Sequence, residues 1–316
     1  MEIATCVVMA SFNGERFIEQ QINSILDQTV APQSILIRDD ASTDDTIRIL
    51  RDIKARAPED IDVNIIEGDT NLGYKRNFIS ALTKARADIY FFADQDDVWY
   101  PEKIARHLEV YKNSPSALLV VSNQDIVDQH LRPTGRTTLD EVIRRRGNSI
   151  DFVHGCCTSF SHKIHDIACR PIEELAHDDW VHLISECCDG RHVIADPLQA
   201  FRRHPQNTTS SDVNSVQARK RRVSVGSRSA VARNLDAHAR AYRSASDLIK
   251  SAETLEAATK AGAVARAEAR ATKAEERSAR LKSTPLSAVF KTLFAIARRK
   301  QPVKQGFADV LRSIKP

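Results

Sequence analysis

The chain has 316 residues, 42% of them hydrophobic, with a formal charge of +4, which is enough for one large domain plus an appendage. Residues 211–316 hold 23 Lys+Arg against 9 Asp+Glu (+14), while residues 1–210 hold 23 against 33 (−10), so an acidic body carries a basic tail. That body argues against nucleic acid as its ligand, and no run approaches the roughly 20 apolar residues of a bilayer span. The six cysteines include no CxxC pair, which fits neither a zinc site nor a secreted disulfide framework. With no basic segment ahead of the first apolar run, the chain reads as cytoplasmic with reduced thiols.

In chain order, the first expected strand is Ala4 to Ala10, ending in the turn Ser11-Phe12-Asn13-Gly14. A helix over about Arg16 to Asp27 places Phe17, Ile22 and Ile25 near one face. Strand two, Ser34 to Arg38, closes on Asp39-Asp40, and Ser42 or Thr43 is expected to cap a helix carrying Ile47, Leu50 and Ile53. Strand three is Asp62 to Glu67. Asn71-Leu72-Gly73 is a turn, a third helix runs from Tyr74 to Ala85, and strand four is Ile89 to Phe92. Strands alternating with helices over short connections predict a doubly wound, mostly parallel α/β sheet. All four strands then end at one edge, where ligands bind in such sheets.

The fourth strand runs into Ala93-Asp94-Gln95-Asp96-Asp97. Carboxylates two apart in a turn can converge on a hard cation, Mg²⁺ or Mn²⁺, which prefers oxygen ligands. The plainer reading is that Asp96 or Asp97 caps a helix over Pro101 to Tyr111. A further strand is expected over Ala117 to Ser122, a polar surface loop over 128–150, a helix over Trp180 to Cys188 and a short strand over Val193 to Ala195. Asp178 or Asp179, opening that helix, offers a general base, unless both serve only as caps. His204 is a further candidate metal or phosphate ligand, or a structural histidine. Arg202 and Arg203 either neutralise a diphosphate or are a solvated pair. Absence of GxGxxG and GxxxxGK[ST] argues against a dehydrogenase and a P-loop NTPase. A cation held by carboxylates beside such a sheet suits a nucleoside diphosphate ligand.

The stretches V-V-M-A-S-F-N-G-E-R-F-I, I-R-D-D-A-S-T-D-D-T, N-L-G-Y-K-R-N-F and F-A-D-Q-D-D-V-W-Y-P-E-K resemble family 2 glycosyltransferases of the GT-A fold, and their order matches too. The later H-D-x-W and R-x-H are similar to the bacterial rhamnosyltransferase-like branch. The resemblance covers about residues 3–210. It implies that Ala10, Ser11 and Asn13 cradle a nucleoside, that Asp39 contacts the base with Asp40 beside it, and that Asp94 meets ribose or metal. Asp96 would be the metal ligand, Asp178 the base (alternatively Asp179, the second acid of this motif), and His204 a late metal or diphosphate site. Ala41 stands where that family's pattern has Gly.

The expected activity is a metal-dependent inverting glycosyltransferase moving a sugar from a nucleotide sugar, with dTDP-L-rhamnose the expected donor and a cell-surface glycan or lipid-linked precursor the acceptor. A nucleotidyltransferase and a non-catalytic sugar-binding scaffold are the competing readings. Residues 211–316 read as a basic helical extension. Its apolar stretch around Phe290, Leu293, Phe294 and Ile296, flanked by Lys291, Arg298, Arg299 and Lys300, suggests peripheral contact with the inner membrane face, or a helix docked on the body.

Overall fold

The structure is a computed structural model and describes residues 3–147, 153–173, 175–207 and 227–283. Strands β1 (Thr5–Ser11), β2 (Ser34–Asp39), β3 (Asp62–Glu67) and β4 (Ile89–Ala93) form a parallel group in the order β3-β2-β1-β4. Helices α1 (Ile18–Leu26), α2 (Thr46–Arg56) and α3 (Tyr74–Leu82) connect them. The sheet continues through β8 (Thr158–Ser161), antiparallel to β4, and β6 (Leu119–Asp128), antiparallel to β8. It ends with β9 (Arg191–Arg203), parallel to β6, and β5 (Val98–Trp99), antiparallel to β9.

Alternation along the strands supplies both faces of the core. Val7 and Met9 of β1, Ile35 and Ile37 of β2 and Phe91 of β4 pack on one side with Ile18, Ile22 and Ile25 of α1 and Leu50 and Ile53 of α2. The α1 residues recur at i, i+4 and i+7, the spacing of one helix face. On the other side Phe92 meets Phe78 of α3 edge-on, with ring centroids 5.5 Å apart, and His177 at 4.9 Å. Each fully buried Ile or Phe contributes roughly 1.5–3 kcal/mol, so the parallel strands are pinned from both sides and their ends are held in register.

Three expectations need correction. Residues 128–147 are not a loop: β7 (Pro133–Thr137) pairs with β6, and α5 (Thr138–Arg146) follows. Thr137 caps α5 by accepting from Asp140 N at 3.2 Å, and Gly147 closes it at φ 80°, a left-handed position that favours glycine. The short strand expected at Val193–Ala195 is the start of the 13-residue β9, in which a register shift opposite Ser122 and Asn123 accommodates Pro197. Neither Ser42 nor Thr43 caps α2, because Ser42 turns back to Asp39.

The chain divides into two compact units, residues 1–210 with 245–264, and residues 211–244 with 265–316. In the second unit, parts of α8 (Ser227–Ser251) and α9 (Ala257–Ser283) are joined by a bidentate Arg243–Glu275 pair and by Lys282–Asp236 at 2.7 Å. Ala239, Ala267 and Ala271 are buried there. No helix among the described residues is long and apolar enough to cross a membrane. The apolar and basic stretch around Phe290 to Lys300 lies outside the described residues.

Candidate functional site

The ends of β1, β2 and β4 bring the acidic turns together. Ser11 Oγ donates to Asp39 Oδ1 at 2.9 Å, and Ser42 donates to both carboxylate oxygens of Asp39. Asn13 accepts from Thr43 N at 2.9 Å, and its own N–H donates to Ser42 Oγ. The two turns are thus one laced rim, with Ala10 half-buried behind it. Asp40 is buried and accepts from Arg38 and from the backbone of Leu72 and Gly73, so it anchors the entry to α3. Ala41 sits at φ 62°, which costs a residue with a Cβ about 1 kcal/mol more than glycine.

Gln95, between the two leading acids, closes the rim from the other side. Its amide accepts from Phe12 N and donates to Phe12 O, and Gly14 leaves room for it, since a Cβ there would lie 2.5 Å from Gln95 Oε1. His204 Nε2 lies 2.8 Å from Asp96 Oδ2, and Asn207 Nδ2 donates to the same oxygen at 3.0 Å. Arg202 donates to the backbone oxygens of Asp96 and Gln129 and to Gln20, over the Phe17 ring. These bonds make it a brace for the Asp96 turn.

Asp97 faces inward. It accepts from Gln199 Nε2 at 2.9 Å and from Arg202 N at 3.1 Å. Neither Asp96 nor Asp97 caps α4 (Lys103–Asn113), whose N-cap is Glu102. Lys103, fully buried, donates to Cys156 O at 2.7 Å and to Gln199 Oε1, and its ammonium lies 3.8 Å from the centre of the Trp99 ring. Burial pushes Lys103 down to about 8, against the pull of Asp97 and Asp94. Burial, then Asp96 and Asp178, push Asp94 up to about 7, and burial, then Asp96 and Asp94, hold Asp97 well above the usual carboxylate range.

That crowding fits a divalent cation: several carboxylates share a sparsely compensated corner, and extra positive charge there lowers the cost of ionising them. Ligand atoms of Asp94, Asp97 and Cys156 lie within 4.8 Å of one another. Both oxygens of Asp97 accept, from Gln199 and Arg202, and Asp96 Oδ2 is held by Asn207 with His204 beside it, so the group brought together here differs from the Asp94, Asp96 and His204 expected from the sequence.

Asp178 and Asp179 lie in the first turn of α7 (His177–Cys187) behind the N-cap Ala176, so the helix begins three residues before the expected Trp180. Asp178 Oδ2 accepts from Gly155 N at 3.1 Å, while Asp179 is exposed. Burial opposes the Asp178 charge, but His177, His182, the Asp179 N–H and His154 outweigh it and hold the carboxyl below its usual range. The Gly155-Cys156 backbone therefore ties the two acidic groups together: Gly155 binds Asp178 and Cys156 binds Lys103. Lys103 and Gln199 had no role in the sequence reading, nor had Gln124, whose Oε1 accepts from Gln199 Nε2 at 2.7 Å. The signal was a lysine two residues after Pro101 with a core face on either side, which is where a charge needs buried partners.

Residues 6–167 match Glycosyl transferase family 2. The dTDP-rhamnosyl transferase RfbG of Shigella flexneri is 37% identical over 112 residues, 34% of this chain and 38% of that protein, so this chain spans well under half the length of that relative. TarS of S. aureus, solved in complex with UDP-GlcNAc, superposes with a TM-score of 0.57 at 16% identity over 99% of this chain and 82% of that one. The mannosyltransferase PcManGT from Pyrobaculum calidifontis, in complex with GDP-Man and Mn2+, gives 0.52 at 15% identity over 99% and 85%. Those two likenesses speak to the fold, which is of the GT-A type. Because the family match takes in just over half of the chain, including every strand end that carries an acid of the rim, the chain belongs to glycosyl transferase family 2.

Proposed function

We propose that the chain is a metal-dependent inverting glycosyltransferase that moves a sugar from a nucleotide sugar to a glycan or lipid-linked acceptor. The observation that carries this reading is the pairing of two acidic groups across one corner. Asp94 and Asp96 with His204 sit on one side, and Asp178 on the other is close enough for its charge to raise Asp94. Asp94, Asp96 and His204 would hold the cation, Mg²⁺ or Mn²⁺. When bound, it supplies positive charge to offset the negative charge developing on the departing diphosphate.

The chain's own groups supply the rest. The rim of Ala10, Ser11, Asn13 and Asp39 would seat the nucleoside, with Asp40 keeping the α3 entry in place. Asp178 takes the proton of an acceptor hydroxyl as that oxygen bonds to the anomeric carbon and the bond to the diphosphate breaks. One displacement with no enzyme nucleophile inverts the anomeric centre. Asp178 suits this role better than Asp179, because it is held by Gly155 and lies towards Asp94.

The finer reading of dTDP-L-rhamnose as donor rests on RfbG, a dTDP-rhamnosyl transferase by name. The protein would act in the cytoplasm, with its basic extension against the inner membrane face. The test is a panel of dTDP-, UDP- and GDP-sugars with and without Mg²⁺ or Mn²⁺, scored by nucleoside diphosphate release. Release from dTDP-L-rhamnose above the others is expected. Pyrophosphate release from a nucleoside triphosphate would point to a nucleotidyltransferase, and silence with every donor to a scaffold.

A further inference from the structure

A cavity of about 740 Å³ opens between the first turns of α3 and the segment leading into α7. Its wall includes Tyr74, Lys75, Arg76, Ile79, Ile172 and His177. Nothing in the donor rim uses it. The volume is ample for a disaccharide-sized or amphiphilic ligand. His177 directly precedes Asp178, so the cavity wall and the base are consecutive residues of one helical turn.

The chemistry of the wall is mixed in a particular way. Ile79 and Ile172 give it an apolar lining. Tyr74 is 46% exposed, with its ring edge-on to His177 at 6.3 Å between centroids, and an exposed aromatic face suits stacking on a sugar ring or packing on a chain. Among the described residues neither Lys75 nor Arg76 is paired with an acid, and with Glu173 also in the wall the lining keeps a net positive charge. The buried imidazole of His177, stacked on Phe78 at 4.1 Å, has neither nitrogen hydrogen-bonded among the described residues. Its Nε2 faces Gly155, so it is the ring, and not a nitrogen, that His177 gives to the wall. A neutral glycan would leave both cations unused. A phosphate beside an apolar chain uses the cations and the apolar lining together.

We propose that this cavity is the acceptor subsite and that its occupant is a sugar carried on a lipid phosphate or diphosphate. This rests on the transferase reading above. Tyr74 packs against the acceptor, Lys75 and Arg76 bind its phosphate, and the acceptor hydroxyl is delivered to Asp178.

The test uses the full chain with Mg²⁺ and whichever of dTDP, UDP or GDP raises its melting temperature, at saturation, so that the donor rim is filled. If none does, the transferase reading fails, and that result is separate from the rest. Geranyl diphosphate serves as the anionic probe and geraniol as its neutral counterpart, with binding measured by calorimetry. The expected result is tighter binding of geranyl diphosphate by about tenfold or more, the scale of one or two charge-assisted hydrogen bonds. That margin should be lost in Lys75→Glu/Arg76→Glu, with the nucleotide-induced thermal shift unchanged, and Tyr74→Ala should weaken both probes. No binding, equal binding of geraniol, or an unaffected double variant overturns the proposal. So does wild-type sedimentation with phosphatidylglycerol vesicles that the double variant loses, since that would assign the two cations to a bilayer surface.

Discussion

His204 Nε2 and Asp96 Oδ2 stand 2.8 Å apart across 108 residues of sequence. The contact exists because β9 runs eight residues beyond the short strand its sequence suggested and delivers Arg202 and His204 beside the β4 turn. Asp96→Asn keeps the shape of the turn and removes one charge from the cation set. Donor turnover should fall by at least about a hundredfold, the scale of losing one strong electrostatic contact to the departing group. The stabilisation by Mn²⁺ plus nucleoside diphosphate should shrink while the melting temperature of the unliganded protein holds. Full turnover in EDTA would rule out the metal reading.

The two acids of α7 can be separated by exchange. Asp178→Asn should abolish sugar transfer and leave donor binding near the wild-type value, because a base acts on the acceptor. Asp179 is exposed, and the Gly155 contact is made by Asp178. Asp179→Asn should therefore lower transfer only severalfold. If single-turnover rates rank the other way, the base is Asp179.

The parallel half of the fold was legible because its signals are local. The apolar run from Ala4 to Ala10, the helix spacing of Ile22 and Ile25, and polar strand ends each follow from a few adjacent residues, whereas Ile18 and not Phe17 completes the buried face of α1. What escaped depended on long-range pairing or on polar patterns. The β7–α5 segment lacks a broad apolar face, although Thr137, Asp140 and Gly147 carry its start and stop signals. Pro197 hid the length of β9, since a register shift that admits a proline is visible only once β6 lies alongside. The candidate acids lay in the sequence as strand ends. Their division of labour did not, because the inward turn of Asp97 depends on Gln199 and Arg202, about a hundred residues away.

His182 gives a pH signature of stability. It is buried beside Thr158, with its Nε2 2.9 Å from the hydroxyl. Burial first, then Arg191, push it down to about 3, against the pull of Asp178. The unfolded chain takes up this proton near pH 6.5 and the folded chain does not until about 3. Stability from this group is therefore lost as pH falls through that window. Between pH 7 and 5 the loss is about 2 kcal/mol. Asp94 and Asp97, raised in the folded state, act in the opposite sense, so the comparison must be made against a variant. His182→Gln should lose about 2 kcal/mol less than the wild type between pH 7 and 5 in urea titrations. Parallel pH profiles would show that His182 protonates freely when folded.

Lys103 is the last case, and it concerns the link between the two acidic groups. Its ammonium donates to Cys156 O and to Gln199 Oε1 and lies against the Trp99 ring. Gln199 passes the constraint to Asp97, and Cys156 passes it through Gly155 to Asp178. Lys103→Met keeps the apolar stem but leaves two buried acceptors unsatisfied, each costing about 1–3 kcal/mol. A loss of about 2–4 kcal/mol in unfolding free energy is expected, with transfer falling further than donor binding because Asp178 loses its fixed partner. Gln199→Met alone should also destabilise, since it strips a donor from Asp97. The double variant should cost clearly less than the two single costs added, because each removes a group the other was built to satisfy. Simple additivity would mean that Lys103 and Gln199 act independently and that the buried network does not couple the two halves of the site.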